Sequence, residues 1–175
     1  MLTTSPPRLD AGLIDQAGRP TRLAAGSPAD LARRLAASPD LWLPAVRFDP
    51  AARVHTRISA TENLEAWLLT WLPGQGTDVH DHGGSAGALV VLAGTLAEWT
   101  PVRSRVFGPK GRTRRLRQGD VRPFGPDHIH QVRNDQLEPA ISLHVYAPRL
   151  SSMTRYARVD GRLEVVATDR AGADW

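Results

Sequence analysis

Residues 140–146 read Ala140-Ile141-Ser142-Leu143-His144-Val145-Tyr146. Successive side chains of a β-strand point to opposite faces of its sheet. That puts Ile141, Leu143 and Val145 in an apolar row, and Ser142, His144 and Tyr146 in a row able to hydrogen-bond along its whole length. Taken alone, the segment fits both a strand with one face in solvent and a strand lining a cavity. Two further stretches repeat the pattern, because His80 with His82 and His128 with His130 are also spaced i, i+2. A barrel whose inner wall carries such rows encloses a pocket rather than a packed core.

Working outward, short apolar or alternating runs divided by Gly, Pro, Asn and Asp continue from Arg53 onward, the pattern of an all-β sandwich or barrel. Strands are expected over 64–72, 77–82, 86–92, 95–100, 112–117, 128–133 and 140–146. Asp160-Gly161 is a two-residue hairpin turn between 156–159 and 163–166, adding a ribbon near the C-terminus. Upstream, Ser27-Pro28-Ala29-Asp30 supplies an N-cap, a proline at the first helical position and an acidic residue at the third. A short helix should begin there, lay Leu31 and Leu35 across the outside of the sheet, and stop at Ser38-Pro39. Residues 1–26 show weak periodicity and read as an irregular arm, which leaves 27–175 as one domain.

Composition narrows the function. The chain has 175 residues, 41% hydrophobic and 23% charged, as expected of a globular protein. Its apolar runs are too short to cross a bilayer, and residues 1–20 lack the charged start and apolar core of a secretory signal, so a cytoplasmic location is expected. With no cysteine, disulfides and thiolate metal sites are excluded, and a transition metal would have to be held by His, Asp or Glu. A net charge of +4 and the cluster Arg112, Arg114, Arg115 and Arg117 raise the question of nucleic acid. No aromatic residue interleaves with those arginines as a stacking surface would require, so they are read as solvated surface. Neither nucleic acid nor a membrane is an expected partner.

His80-Asp81-His82 becomes informative through its surroundings. Gly74 precedes His80 with five residues between, and Gly94 follows His82 with eleven between, which resembles the first cupin motif. Gly119 lies eleven positions before His130 and Asn134 four after it, which resembles the second, with Pro126 one place from its usual position. This register selects His130 as the third ligand beside His80 and His82, and leaves His128 as a pocket-lining or otherwise satisfied histidine. The fold implied is a cupin, a double-stranded β-helix or jelly-roll barrel with a short N-terminal helical segment. Most cupins add a glutamate three or four residues after the His pair, but Ala86 and Gly87 stand there. Three neutral imidazoles leave the metal its full positive charge and open positions, which suits an anionic ligand such as a thiolate.

From His55 to Pro148 the chain resembles the cysteine dioxygenases of the cupin superfamily. The marks are Thr56-Arg57, Trp71, His80-Asp81-His82 with Ser85, Leu92-x-Gly94-x-Leu96-x-Glu98, His130-x-Val132-x-Asn134, and Glu138-Pro139-Ala140-x-Ser142-Leu143-His144-x-Tyr146-x-Pro148. The resemblance implies iron(II) held by His80, His82 and His130, a substrate carboxylate bound by Arg57, and Tyr146 and His144 beside substrate and oxygen, with Ser142 and Trp71 behind them. It implies oxidation of L-cysteine by O2 to cysteine sulfinic acid. A monomer or weak homodimer is expected.

Departures from the family pattern matter as well. Mammalian members join a cysteine to the active-site tyrosine, and Gly87 stands at that position here, so Tyr146 is an unmodified phenol; bacterial relatives resemble the chain in this. His55 replaces a tyrosine, and the segment between Arg57 and His80 is short. Three alternatives stay open: the same chemistry on 3-mercaptopropionate or another thiol acid, where relatives carry glutamine in place of Arg57; a non-catalytic metal-binding cupin sensor; and a cupin enzyme with another metal, such as a sugar isomerase.

Overall fold

The computed structural model describes residues 26–102 and 111–171. The expected arm over 1–26 therefore falls, apart from Gly26, outside the described residues. Helix α1 (Pro28–Ala36) starts where the capping residues place it: the Ser27 Oγ accepts from the Asp30 amide at 3.3 Å, and the Ser27 amide donates to Asp30 Oδ2 at 3.2 Å. Two short 3-10 turns, Pro39–Leu41 and Leu43–Ala45, follow it. Among the described residues no helix is long and apolar enough to cross a membrane.

Eleven strands make up the rest: β1 (His55–Ala60), β2 (Glu65–Trp71), β3 (Val79–His80), β4 (Ala86–Ala93), β5 (Thr95–Pro101), β6 (Gly111–Arg117), β7 (Val121–Phe124), β8 (Gln131–Arg133), β9 (Ala140–Ala147), β10 (Ser152–Val159) and β11 (Arg162–Arg170). They form a five-stranded sheet in the order β1-β2-β9-β4-β7 and two three-stranded sheets, β11-β10-β3 and β6-β5-β8. Isolated bridges from Gly76 to Arg133 and from His80 to His130 tie the smaller sheets together. The architecture is the double-stranded β-helix of a cupin, all-β with one short α-helix among the described residues.

Alternation on the five-stranded sheet decides its two faces. Ala66 and Leu68 of β2, Ala88, Val90 and Leu92 of β4, and Leu143 and Val145 of β9 form an outer row, against which α1 lays Ala29, Leu31, Ala32 and Leu35. The inner row packs Leu69, Trp71, Leu89 and Val91 against Leu96, Leu116 and Val132 of the facing strands, closing one end of the barrel. Ser142, His144 and Tyr146 belong to this inner row and are buried. The polar row of β9 therefore faces a cavity and not solvent.

Several expectations need correction. No strand was foreseen over β1 or β7. In β7 the sequence Val121-Arg122-Pro123-Phe124 discourages a strand reading, but the segment is an edge strand, where a proline costs no ladder hydrogen bond. The stretch 77–82 is paired as a strand only at Val79 and His80, because the chain leaves Val132, crosses to Thr154 and then turns through Gly83 and Gly84 at positive φ. His82 lies in that turn and His128 in a loop, so neither pair of histidines shares one regular strand. The C-terminal hairpin is no appended ribbon, since β10 pairs with β3 and carries the barrel wall onward. Its turn is as read, with Asp160 at φ 44 and Gly161 at φ 85. The arginines of β6 are exposed, with only Leu116 of that strand buried.

Gly87 of β4 lies opposite Tyr146 of β9 and Phe124 of β7. A Cβ there would collide with the Val145 carbonyl oxygen and come within 2.6 Å of the Phe124 ring. Gly87→Ala should therefore cost about 1–3 kcal/mol of stability through overpacking. Thermal unfolding of the two proteins checks this, and an unchanged Tm would show that the sheet yields freely at this point.

Candidate metal centre

His80 and His130, fifty positions apart in the sequence, are held side by side by a reciprocal backbone pair: the His80 amide donates to the His130 carbonyl at 2.9 Å and the His130 amide to the His80 carbonyl at 3.0 Å. His82 swings in from the turn beyond β3. The three rings form a nearly regular triangle, with centroids 5.1 Å apart for His80 and His82, 4.7 Å for His80 and His130, and 4.9 Å for His82 and His130. Candidate ligand nitrogens from the three lie within 4.8 Å of one another.

Hydrogen bonding settles which nitrogens face inward. His80 Nδ1 lies 2.9 Å from the Asp78 carbonyl oxygen, to which it donates, and His130 Nδ1 lies 3.0 Å from Glu98 Oε1. His80 and His130 thus present their Nε2. The His130 Nε2 and both ring nitrogens of His82 are buried without any partner. Buried imidazole nitrogens left unpaired are costly, and a cation between the three rings would satisfy His130 Nε2 and one nitrogen of His82 together. The donor set therefore fits a divalent transition metal bound on one side by three imidazoles.

Glu98 is the support behind this triangle. It is buried, accepts from Arg122 Nε at 2.8 Å, and lies 3.0 Å from both His128 Nε2 and His130 Nδ1. Burial pushes its pKa up, but the hydrogen bonds from His128, His130 and Arg122 prevail and hold it well below the usual carboxylate range. A second possible cluster, Glu98, His128 and His130, shares this geometry. It would take the His130 nitrogen that already donates to Glu98 and would leave the three unpaired nitrogens unpaired. His128 instead stacks on Phe124, with ring centroids 5.2 Å apart, and completes the bonding of Glu98.

The imidazoles are neutral. Burial, with the nearby His130 adding to it, lowers His80 to about 3, and burial likewise lowers His82, His130 and His144. Burial raises the Tyr146 phenol above its ordinary range, so it stays protonated.

Next to the triangle runs a chain of hydrogen bonds. Trp71 Nε1 donates to Ser142 Oγ at 2.9 Å, Ser142 Oγ lies 2.9 Å from His144 Nε2, and His144 Nδ1 lies 3.3 Å from the Tyr146 hydroxyl. An indole can only donate. Ser142 therefore accepts from Trp71; with His144 protonated on Nδ1, Ser142 donates to His144 Nε2 and His144 donates to Tyr146. Every buried member is satisfied this way, and the phenolic proton is left for a group in the cavity.

The cavity, about 540 Å³, is lined by His80, His130, His144 and Tyr146, by His55, Trp67 and Leu69 of the large sheet, by Met153 and Arg155 of β10 and Asp169 of β11, and by Arg53. Of the residues expected at the site, His80, His82, His130, His144, Tyr146, Ser142 and Trp71 come together. Arg57 is placed differently. It is half-exposed, 3.9 Å from Glu65 and over the Trp67 ring at 5.7 Å, and it is not among the cavity-lining residues. Arg53, Glu98 and Phe124 were not singled out in the sequence for any role. Glu98 was visible as part of a motif, and an alternating count backward from Arg57 through His55 reaches Arg53.

A family model described as "Cysteine dioxygenase type I" matches residues 23–159. The cysteine dioxygenase type 1 of Danio rerio is 28% identical over 137 residues, covering 74% of this chain and 68% of that protein. That of Rattus norvegicus is 29% identical over 118 residues, 63% of this chain, and the chain spans only 58% of the rat protein. Among solved structures, an RmlC-like cupin protein from Desulfovibrio desulfuricans superposes with a TM-score of 0.50 at 26% identity, covering 61% of this chain and 92% of that one.

Two outcomes are expected. Alanine at His80, His82 or His130 should abolish binding of one metal ion per chain, whereas Glu98→Ala should weaken it roughly 10- to 100-fold and His128→Ala less. Metal analysis after dialysis decides; retention by His80→Ala and His82→Ala with loss from Glu98→Ala and His128→Ala would move the site to the second cluster. In addition, the unfolded chain protonates these imidazoles below pH 6.5 while the folded chain, with His80 lowered to about 3, does not. The unfolded state then binds more protons, so stability of the metal-free protein should fall as pH drops below 6.5, by at most about 1.4 kcal/mol per pH unit for each such histidine. Denaturant midpoints at pH 7, 6 and 5 test the slope.

Proposed function

The chain belongs to the cysteine dioxygenase type I family, and on that premise we propose that it is an iron(II)-dependent thiol dioxygenase whose substrate is L-cysteine. The observation that carries this reading is the triangle of neutral imidazoles with unpaired inward nitrogens beside a directed chain of hydrogen bonds ending on Tyr146. Iron(II) held by His80, His82 and His130 would supply a seat for the thiolate and the activation of oxygen. The overall reaction adds both atoms of O2 to the thiol sulfur, giving the sulfinic acid with no other reductant or oxidant.

The residues of this chain do the positioning. Glu98 holds the His130 ring so that Nε2 points inward. Tyr146 keeps its proton, because burial raises its pKa, and presents the hydroxyl to the cavity as a hydrogen-bond donor. His144, Ser142 and Trp71 fix the direction of that donor. Phe124, stacked on His82 with centroids 4.7 Å apart, and Leu150 beside Tyr146 keep water from this wall. Partial charge that builds on oxygen or on the sulfinate then meets a donor already oriented, which requires no rearrangement as the reaction proceeds.

Aerobic assay of the iron-loaded protein with cysteine, 3-mercaptopropionate and cysteamine tests the proposal. Cysteine should consume one O2 per sulfinate formed. Tyr146→Phe should keep its fold and metal but lose about 10- to 100-fold in kcat, the worth of one hydrogen bond of about 1.5–3 kcal/mol to a charged group. An absence of thiol-dependent O2 uptake overturns the proposal. Full coupled turnover by the Phe variant would reduce Tyr146 to wall packing.

A further inference from the structure

The three candidate ligands are not supported alike. His80 Nδ1 donates to the Asp78 carbonyl at 2.9 Å and His130 Nδ1 lies 3.0 Å from Glu98 Oε1, so each of these rings is held from behind by a hydrogen bond. His82 has no such bond, because both of its ring nitrogens are buried without a partner among the described residues. Stacking on Phe124, with centroids 4.7 Å apart, fixes the plane of the His82 ring but not its rotation within that plane. The backbone that carries His82 therefore has to set where the imidazole points.

Asp81 fastens that backbone. Its Oδ1 accepts from the Gly83 amide at 3.0 Å and from the Thr154 amide at 3.1 Å, and its Oδ2 accepts from the Tyr156 hydroxyl at 2.6 Å. The Asp81 amide donates in turn to the Thr154 carbonyl at 3.0 Å, and the Ser85 amide closes the turn on the His82 carbonyl at 3.0 Å. Gly83, at φ 56, lies so near β10 that a Cβ would collide with the Oγ and the carbonyl oxygen of Ser152. The turn is thus pinned to β10 on both sides of His82, by Asp81 before it and by Gly83 after it. Two of the bonds to the carboxylate come from backbone amides, and the third comes from the Tyr156 side chain as a short charge-assisted bond.

We infer that Asp81 and Tyr156 are positioning residues for the metal centre, which together hold His82 in the triangle that His80 and His130 keep through their own hydrogen bonds. The inference rests on the three-histidine reading of the site and not on the thiol chemistry. Neither residue lines the cavity, and neither belongs to a candidate ligand cluster, so their effect passes through the turn. With the carboxylate freed, residues 81–84 could rotate and withdraw the His82 ring, while the reciprocal backbone pair keeps His80 and His130 in place. The hairpin of β10 and β11 thereby becomes part of the metal site although it supplies no ligand.

The test is anaerobic titration of iron(II) into the metal-free protein in competition with a chelator, with zinc(II) as a second, redox-silent probe. Tyr156→Phe should bind either metal about 10-fold more weakly and Asp81→Ala about 10- to 100-fold, the range for groups that orient a ligand from behind. Asp81→Asn keeps an acceptor for the two amides and a polar partner for Tyr156. It should bind within about threefold of wild type, less than one hydrogen bond is worth. Arg158→Ala frees the same strand from the Trp99 ring and from Gln131 without reaching the turn, and should also stay within about threefold. In NMR spectra of the zinc-loaded protein, Tyr156→Phe should shift the ring signals of His82 and leave those of His80 and His130. Wild-type affinity in Tyr156→Phe and Asp81→Ala, or a loss in Arg158→Ala as large as in Tyr156→Phe, overturns the assignment. A loss in Asp81→Asn equal to that in Asp81→Ala also overturns it, since the charge of the carboxylate and not its geometry would then be the cause. Where Asp81→Ala does not fold, Tyr156→Phe decides. A wild-type protein that binds neither metal overturns the metal centre and this assignment together, whereas the expected metal affinities without thiol-dependent O2 uptake overturn the dioxygenase reading and leave the assignment standing.

Discussion

The reciprocal hydrogen bonds between the His80 and His130 backbones are the contact on which this structure turns. They are a bridge of one residue on each side, outside any regular ladder, and they join the sheet of β10 and β11 to the sheet of β5, β6 and β8. The same two residues carry two of the three inward imidazoles. Barrel closure and ligand placement are therefore one event. Once the backbones meet, the rings need only the Asp78 carbonyl and Glu98 to turn them, and His82 arrives from the turn that ends the bridge.

Around that contact the inner wall divides by chemistry. One end is filled by Leu69, Trp71, Leu89, Val91, Leu96 and Leu116, and the other opens into the cavity beside Tyr146. Trp71 belongs to both, since its ring is core while its Nε1 starts the hydrogen-bond chain. Because the indole cannot accept a bond, the first link of that chain has a fixed direction, and the tautomer of His144 sets the rest. A residue of the hydrophobic core thus anchors the row of polar groups that ends in the cavity.

Much of this was legible in residue order. The alternation in 140–146 separates the row that meets α1 from the row that meets the cavity, and Ser27 to Asp30 places the helix start. The glycine spacing picks His130 over His128, as the unpaired nitrogens favour. What stayed hidden depends on distance across the fold. β7 carries a proline that only an edge position tolerates, and edges are invisible in one strand read alone. His82 reaches the triangle from a turn and not from a strand face. Arg53 and Arg57 are alike in sequence; they differ because Glu65, buried and fixed by the Leu150 amide at 3.1 Å, lies beside one and not the other.

The crowding at Gly87 reaches into the history open to this chain. A side chain at that position would meet the Phe124 ring and also the carbonyl oxygen of Val145, so trimming Phe124 alone would not make room. Phe124 in turn is stacked on His82, so a smaller residue there would loosen a candidate ligand before any space was gained. A sulfur-bearing residue opposite Tyr146 would meet the same ring and the same carbonyl oxygen. A larger residue opposite Tyr146 thus needs the Phe124 ring and the backbone at Val145 to give way together.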